Sequence, residues 1–278
     1  MPTLSATSTP GTSIHYEDFG GHGRPVVLIH GWPLSHRMWE GQINVLRDAG
    51  YRCVAYDRRG FGESGRPTEG YDYDTLASDL NDLVRSLALK DAVLVGFSMG
   101  GGEVVRYLSQ YGDEERVTAA ALVAAVPPYL LETPDNPGAV PASVFDGMLA
   151  AVKADRIGFL EQFLVNFYNL DAEGRHLSAD LLAYVKSIAW MASPLATQQC
   201  ITAFGTTDFR ADLATVTVPT LVVHGSVDRI VPFEVSGARA AAAIAGSRLE
   251  VIDGAPHGLT ATHGPALNTL LLDFLATR

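Results

Sequence analysis

The sequence predicts an α/β fold, a mostly parallel central sheet flanked by helices on both faces. Three observations predict it. Apolar runs of strand length recur between stretches with helical spacing, the alternation that crossover connections leave in a chain. Hydrophobic residues make up 47% of the 278 residues and charged ones 18%, a globular composition that excludes disorder, coiled coil and collagen. A chain of this size also buries enough surface, about 73% of what it exposes unfolded, to hold one large domain without staples.

Strands are expected at 13–17, 25–30, 52–56, 92–96, 118–124, 220–224 and 249–252. Between them, 36–48 and 75–87 carry apolar residues at helical spacing; Leu76, Leu80, Leu83, Val84 and Leu87 form one inward stripe. Further helices are expected at 102–111, over the alanine-rich stretch 238–245, and at 265–276, where Leu267, Leu270, Leu271 and Phe274 repeat the pattern. The alternation fails between Pro127 and about Val218. Five prolines (Pro127, Pro128, Pro134, Pro137, Pro141) open that stretch and helix-like segments follow. The expected organisation is a core of 1–128 and 218–278 interrupted by a helical cap at 129–217. Its aromatic and methionine residues (Phe145, Met148, Phe159, Phe163, Phe167, Tyr168, Trp190, Met191) can line a pocket or form core.

Lysine and arginine total 20 against 31 acids, a net charge of −11. Such a surface repels polyanions, so neither a nucleic acid nor an anionic membrane is an expected partner. Residues 1–10 carry no basic start and no apolar run of the secretory kind, and no stretch approaches the roughly 20 apolar residues of a membrane span. A cytoplasmic enzyme is expected. Cys53 and Cys200 stand alone, without a CxxC or a paired framework, and read as buried free thiols.

The chemistry concentrates in Gly96-Phe97-Ser98-Met99-Gly100, directly after an expected strand and before a helix. A sharp strand-to-helix turn there lifts the Ser98 hydroxyl out of the backbone, and glycines flank it because a Cβ would clash across the turn. A serine hydroxyl needs a base, and the base an orienting carboxylate. Asp228 follows the strand ending at His224, and His257 sits in Gly254-Ala255-Pro256-His257-Gly258 beyond the last strand. Both lie at strand C-terminal ends, where sites of open α/β sheets collect. His30 and His224 also follow strands, but each precedes a glycine turn and neither lies downstream of a suitable acid. Asp253 is too close to His257 in sequence to reach its far nitrogen.

The loop His30-Gly31-Trp32-Pro33 is expected to supply one oxyanion donor, the Trp32 N–H, opposite that of Met99. Phe97, Ile230 and Leu259 flank the three reactive positions and are expected, with Pro33, in the substrate pocket. Gly60-Phe61-Gly62-Glu63-Ser64-Gly65 matches GxGxxG but opens no helix, so it reads as a turn held by Asp57, Arg58 and Arg59 rather than a dinucleotide site. His15, His22, His36, His176 and His263 show no paired-ligand spacing, and no catalytic metal is expected.

With these motifs, the chain resembles the α/β-hydrolases, more narrowly the cofactor-free non-heme haloperoxidases, also called perhydrolases, and their aryl esterase relatives. The likeness runs from about Ser13 to Leu275 and includes Gly100-Gly101-Gly102-Glu103-Val104, Val126-Pro127-Pro128 and Phe145-Asp146-Gly147. It implies an α/β-hydrolase fold and an acyl-enzyme released by water or by hydrogen peroxide, the latter giving a peracid that oxidises halide outside the protein. It implies no heme, metal or other cofactor. In that family a proline after the HGW tryptophan, here Pro33, accompanies perhydrolysis, and trimers or hexamers are frequent. The implied substrate is a small ester or carboxylic acid. An amidase or lactamase on the same triad, and a silent ligand-binding protein, are the alternatives.

Overall fold

The computed structural model describes residues 2–112, 116–173 and 177–277. Two N-terminal strands, β1 (Thr3–Ser5) and β2 (Ser13–Asp18), form an antiparallel ribbon, and β3 (Pro25–Ile29) follows. After a short 3₁₀ turn (His36–Trp39) come α1 (Glu40–Asp48), β4 (Arg52–Tyr56), α2 (Tyr73–Ser86), β5 (Ala92–Phe97), α3 (Met99–Tyr111) and β6 (Val117–Val123). Four helices then intervene, α4 (Ala142–Phe167), α5 (Ala179–Trp190), α6 (Pro194–Thr206) and α7 (Arg210–Leu213). The chain ends with β7 (Thr220–Gly225), α8 (Gly237–Ala243), β8 (Arg248–Ile252), α9 (Leu259–Thr262) and α10 (Gly264–Ala276).

The strands join in one sheet of order β1-β2-β4-β3-β5-β6-β7-β8. From β4 to β8 every pairing is parallel, and β2 joins β4 antiparallel. All six residues of β5 and of β7 are buried, which explains their unbroken apolar runs in sequence. All seven expected strands are present with ends shifted by a residue or less. The ribbon strand β1 was not anticipated: Thr3-Leu4-Ser5 has no apolar pattern, and only pairing with β2 holds it extended.

Local chemistry sets the helix starts. The Asp72 carboxylate accepts from the Thr75 N–H at 2.9 Å to cap α2, Ser178 caps α5 through Leu181 N–H, and Ser193 precedes Pro194 at the first position of α6. Inside α4 the backbone leaves helical geometry at Asp155 (φ −152°, ψ 91°), whose carboxylate accepts from the Gly158 N–H and so starts the second half as a fresh helix.

The Gly60–Gly65 run is a closed turn. Gly60 N–H donates to Gly65 O, Gly65 N–H to Ser13 O, and the next helix along the chain starts only at Tyr73. Asp57, Arg58 and Arg59 are all buried around it: Arg58 pairs with Glu103 of α3, and Arg59 with Asp79 of α2 at 2.6 Å. Cys53 and Cys200 are buried free thiols, and burial pushes both up to about 12.

Candidate active site

Three loops at strand C-terminal ends converge on Ser98. The residue sits between β5 and α3 with φ 54° and ψ −119°, a left-handed backbone that side chains rarely adopt and that marks a nucleophile elbow. The turn tolerates it because its flanks are glycines. A Cβ on Gly96 would lie 2.5 Å from Gly100 O, and one on Gly100 would lie 2.6 Å from Ile29 O. A serine before a helix ordinarily caps it; here the hydroxyl makes no cap bond and turns instead to His257, with Ser98 Oγ 2.9 Å from Nε2.

The imidazole of His257 is buried, and its Nδ1 lies 2.7 Å from Asp228 Oδ2. A carboxylate only accepts, so Nδ1 carries the proton and Nε2 is free to accept from the serine hydroxyl. Asp228 is fixed in turn by the Ile230 and Val231 N–H groups, each 2.8 Å from Oδ1. Burial alone would raise its carboxyl, but the two imidazoles of His257 and His224 and their hydrogen bonds hold it well below the usual carboxylate range. The structure thus brings Ser98, His257 and Asp228 into one hydrogen-bonded line.

The rival groups go elsewhere. The Arg58 N–H donates to His30 Nε2 at 2.9 Å and Nδ1 faces Gly31 O, so His30 is a neutral, doubly bonded imidazole. Its burial, with the Arg58 charge beside it, lowers it to about 3. His224 directs Nε2 to Val231 O at 2.9 Å, with Asp228 Oδ2 at 3.3 Å, a contact that sequence order did not suggest. Asp253 accepts from Ser226 Oγ.

Met99 is the first residue of α3, where N–H groups lack intrahelical acceptors. The loop that carries Trp32 comes close to Ser98, since a Cβ on Gly31 would lie 3.0 Å from Ser98 Cβ. Trp32 is tied by its indole N–H to Thr197 O of α6. The peptide between Trp32 and Pro33 is cis.

Above the serine lies a cavity of about 280 Å³ whose walls include Trp32, Ser98, Ile230, Phe159, Phe163 and Phe204. Phe163 and Phe204 meet the Trp32 indole edge-on at 4.9 and 5.6 Å. Phe145 and Met148 also line it, whereas Phe167 and Tyr168 pack about the His257 loop and Trp190 and Met191 face outward. Of the residues expected in the pocket, Ile230 is on its wall, but Phe97, Leu259 and Pro33 are not. Phe97 diverges from Ser98 at the end of its strand and packs 5.0 Å from the His257 ring; Leu259 is core at the start of α9, and Pro33 is buried. The polar wall residues Gln162, Asn166 and Arg229 had no local sequence signal.

Of the histidines scanned for metal spacing, His176 lies outside the described residues. His15 and His36 meet Glu17 in a cluster that shares no residue with the cavity.

Residues 24–263 match the family described as the alpha/beta hydrolase fold. The chain belongs to the α/β-hydrolase family. This α/β hydrolase is 40% identical over 275 residues to a non-heme chloroperoxidase of Kitasatospora aureofaciens, covering 97% of this chain and 98% of the relative. It is 36% identical over 271 residues to a bifunctional esterase/perhydrolase of Acinetobacter calcoaceticus, with 97% and 98% covered. Among solved structures, a bromoperoxidase from Bacillus anthracis superposes with a TM-score of 0.94 at 47% identity over 99% of both chains. It is therefore an enzyme of the α/β-hydrolase type, among haloperoxidase and esterase relatives. Among the described residues no helix is long and apolar enough to cross a membrane.

Proposed function

We propose that this α/β hydrolase is a serine esterase of small carboxylic esters that also forms peracids from carboxylic acids and hydrogen peroxide. The observation that carries this reading is the line from Ser98 Oγ through His257 to Asp228, opening on an aromatic cavity of about 280 Å³. His257 Nε2 takes the Ser98 proton as Oγ attacks the acyl carbon, and Asp228 steadies the imidazolium. The Trp32 and Met99 N–H groups receive the oxyanion. His257 then hands its proton to the leaving alkoxide, leaving the acyl group on Ser98.

Water, deprotonated by His257, releases the acid; hydrogen peroxide in its place releases the peracid and returns the proton to Ser98. The peracid then oxidises halide away from the protein, gaining a proton as it gives hypohalous acid and the parent carboxylic acid. The small cavity favours short acyl groups, since pockets that take drug-sized ligands measure about 300–1,000 Å³. The esterase/perhydrolase of Acinetobacter calcoaceticus, 36% identical to this chain, supports the peroxide branch. A trimer or hexamer belongs to the same proposal, supported by Trp190, Met191 and Leu195, which leave apolar surface exposed around the turn from α5 to α6; sedimentation velocity tests it.

The decisive experiment follows p-nitrophenyl acetate hydrolysis and peracetic acid formation in parallel, in wild type and Ser98→Ala. Both activities are expected in wild type, and both to fall by about 10⁴-fold or more in the variant. Ester cleavage that survives the substitution would refute the serine mechanism; cleavage without peracid would leave an esterase alone.

A further inference from the structure

On the far side of the sheet from β8, strand alternation points His15 and Glu17 of β2 to the same face. His36 meets them there from the first residue of the 3₁₀ turn that follows the Trp32 loop. Glu17 Oε1 lies 3.3 Å from His36 Nε2 and 3.7 Å from His15 Nε2, and the three ligand atoms lie within 4.8 Å of one another. His15 is 1% exposed, yet its Nε2 has no hydrogen-bond partner. A buried imidazole nitrogen aimed between a second imidazole and a carboxylate is costly unless something binds there.

The geometry points to a zinc-type divalent metal site formed by His15 Nε2, Glu17 Oε1 and His36 Nε2, separate from the catalytic cavity. Two ligand atoms at about 2.05 Å from a tetrahedral zinc are about 3.4 Å apart, so the two edges at Glu17 already fit and the third, no longer than 4.8 Å, closes by a shift of an imidazole. Glu17 is half-buried, which leaves the fourth position open to water and gives the ion an entry path. Two histidines with one carboxylate suit zinc better than calcium or magnesium, which prefer all-oxygen shells.

The outer shell is built as well. His36 Nδ1 lies 2.8 Å from Asp57 Oδ1, which also accepts the His36 backbone N–H at 2.8 Å. That pair presents Nε2 outward, the carboxylate–histidine arrangement that orients metal ligands. Asp57 cannot swing away, because its Oδ2 accepts the Glu63 N–H and a Cβ on Gly62 would lie 2.1 Å from it. The backbone of His15 is pinned on both sides, its N–H to Ser64 Oγ and its O to the Asp57 N–H. The neighbouring cation Arg37 is paired with Glu63 at 2.9 Å. Glu17 directly, and Asp57 through His36, offset the two charges of the ion. The metal straps β2 to the turn behind the Trp32 loop and takes no part in acyl transfer.

The test uses chelator-stripped full-length enzyme titrated with zinc chloride by calorimetry. One site per chain is expected in wild type, weakened at least tenfold in Glu17→Gln and in His15→Ala. Zinc at a hundredfold excess over Kd should raise wild-type Tm by about 5 °C and leave Glu17→Gln unmoved. Cobalt(II) should give visible ligand-field bands that Glu17→Gln abolishes. Metal-free p-nitrophenyl acetate turnover should be unchanged in Glu17→Gln, whose side chain sits at the open edge, so lost binding there cannot be lost folding. Absence of zinc binding, or binding that both substitutions leave intact, overturns the site; such an ion would sit on His257 or on a surface histidine.

Discussion

The loops at the ends of β3, β5, β7 and β8 lie opposite the helices between β6 and β7 across one cavity, and the two sides are built by different rules. On the sheet side Ser98 and Asp228 are held by backbone, and His257 is held in turn by Asp228. Ser98 is forced up by a left-handed turn, Asp228 is gripped by two N–H groups, and Gly31 and Gly100 let the loops touch where a Cβ would collide. On the helical side the wall is mainly ring packing, Phe163 and Phe204 meeting Trp32 edge-on and Phe159 at a tilt, with one hydrogen bond from the indole to Thr197 O, and α4 is two helices joined at Asp155. The difference separates tasks. Groups fixed by backbone can hold a reaction geometry to a few tenths of an ångström, whereas side-chain packing can change shape and select the acyl group without disturbing it.

The largest effect that this contrast predicts is on the sheet side. Asp228→Asn keeps the size of the side chain but presents an amide, which favours the wrong imidazole tautomer; kcat for p-nitrophenyl acetate should fall by about 10⁴-fold with KM nearly unchanged. The N–H groups of Ile230 and Val231 still find an acceptor in the amide oxygen, so the fold should persist by circular dichroism. A loss under tenfold would mean that His257 is oriented without Asp228, and the contrast would fail at its strongest point.

The two sides also differ in how much of them could be read from the chain. Ser98, Asp228 and His257 were legible because each stands in a short loop after an apolar run, and the parallel sheet delivers all such loops to one edge. The pocket was not. Phe97 and Leu259 adjoin reactive residues in sequence but point into the core, while Phe159, Phe163 and Phe204 come from helices whose approach nothing local specifies. The same reason hid β1, whose three residues are strand only by pairing, and the meeting of His15 with His36, which depends on how β2 joins β4. Sequence adjacency served where the backbone sets direction, and failed where packing across elements does.

A smaller effect tests the sheet side through stability. His30 is fully buried and neutral, with its proton affinity lowered to about 3 against an unfolded value near 6.5. Between those values the unfolded chain takes up a proton that the folded chain refuses, so stability falls as pH falls from about 6.5 towards 3 and is unaffected above that window. One such group contributes a slope of about 1.4 kcal/mol per pH unit. His30→Gln, whose amide oxygen can still accept the Arg58 N–H, should remove that part of the slope in urea unfolding at pH 6, 5 and 4.5. Parallel slopes in the two proteins would show that His30 titrates as though exposed.

The smallest effect lies on the helical side and concerns choice more than rate. Phe159 is half-buried on the cavity wall, with its ring 6.4 Å from the Trp32 indole, and it belongs to the half of α4 that restarts after Asp155. Truncation to alanine removes wall without touching any group that holds Ser98, His257 or Asp228. Acetate, which leaves that space unfilled, should lose little; a p-nitrophenyl hexanoate chain can occupy it. Because one methylene newly accommodated in an apolar pocket is worth about 1–3 kcal/mol, room for even one of the hexanoyl methylenes should raise the hexanoate-to-acetate ratio of kcat/KM by about tenfold or more. Acetate ester cleavage and peracid formation should stay within a few-fold of wild type, since the Trp32 loop keeps its hydrogen bond to Thr197 O of α6 and its edge contacts with Phe163 and Phe204. If acetate turnover instead collapsed along with hexanoate, the aromatic wall would be holding the reactive loops in place, and the division between backbone-fixed chemistry and packing-fixed selection would not describe this enzyme.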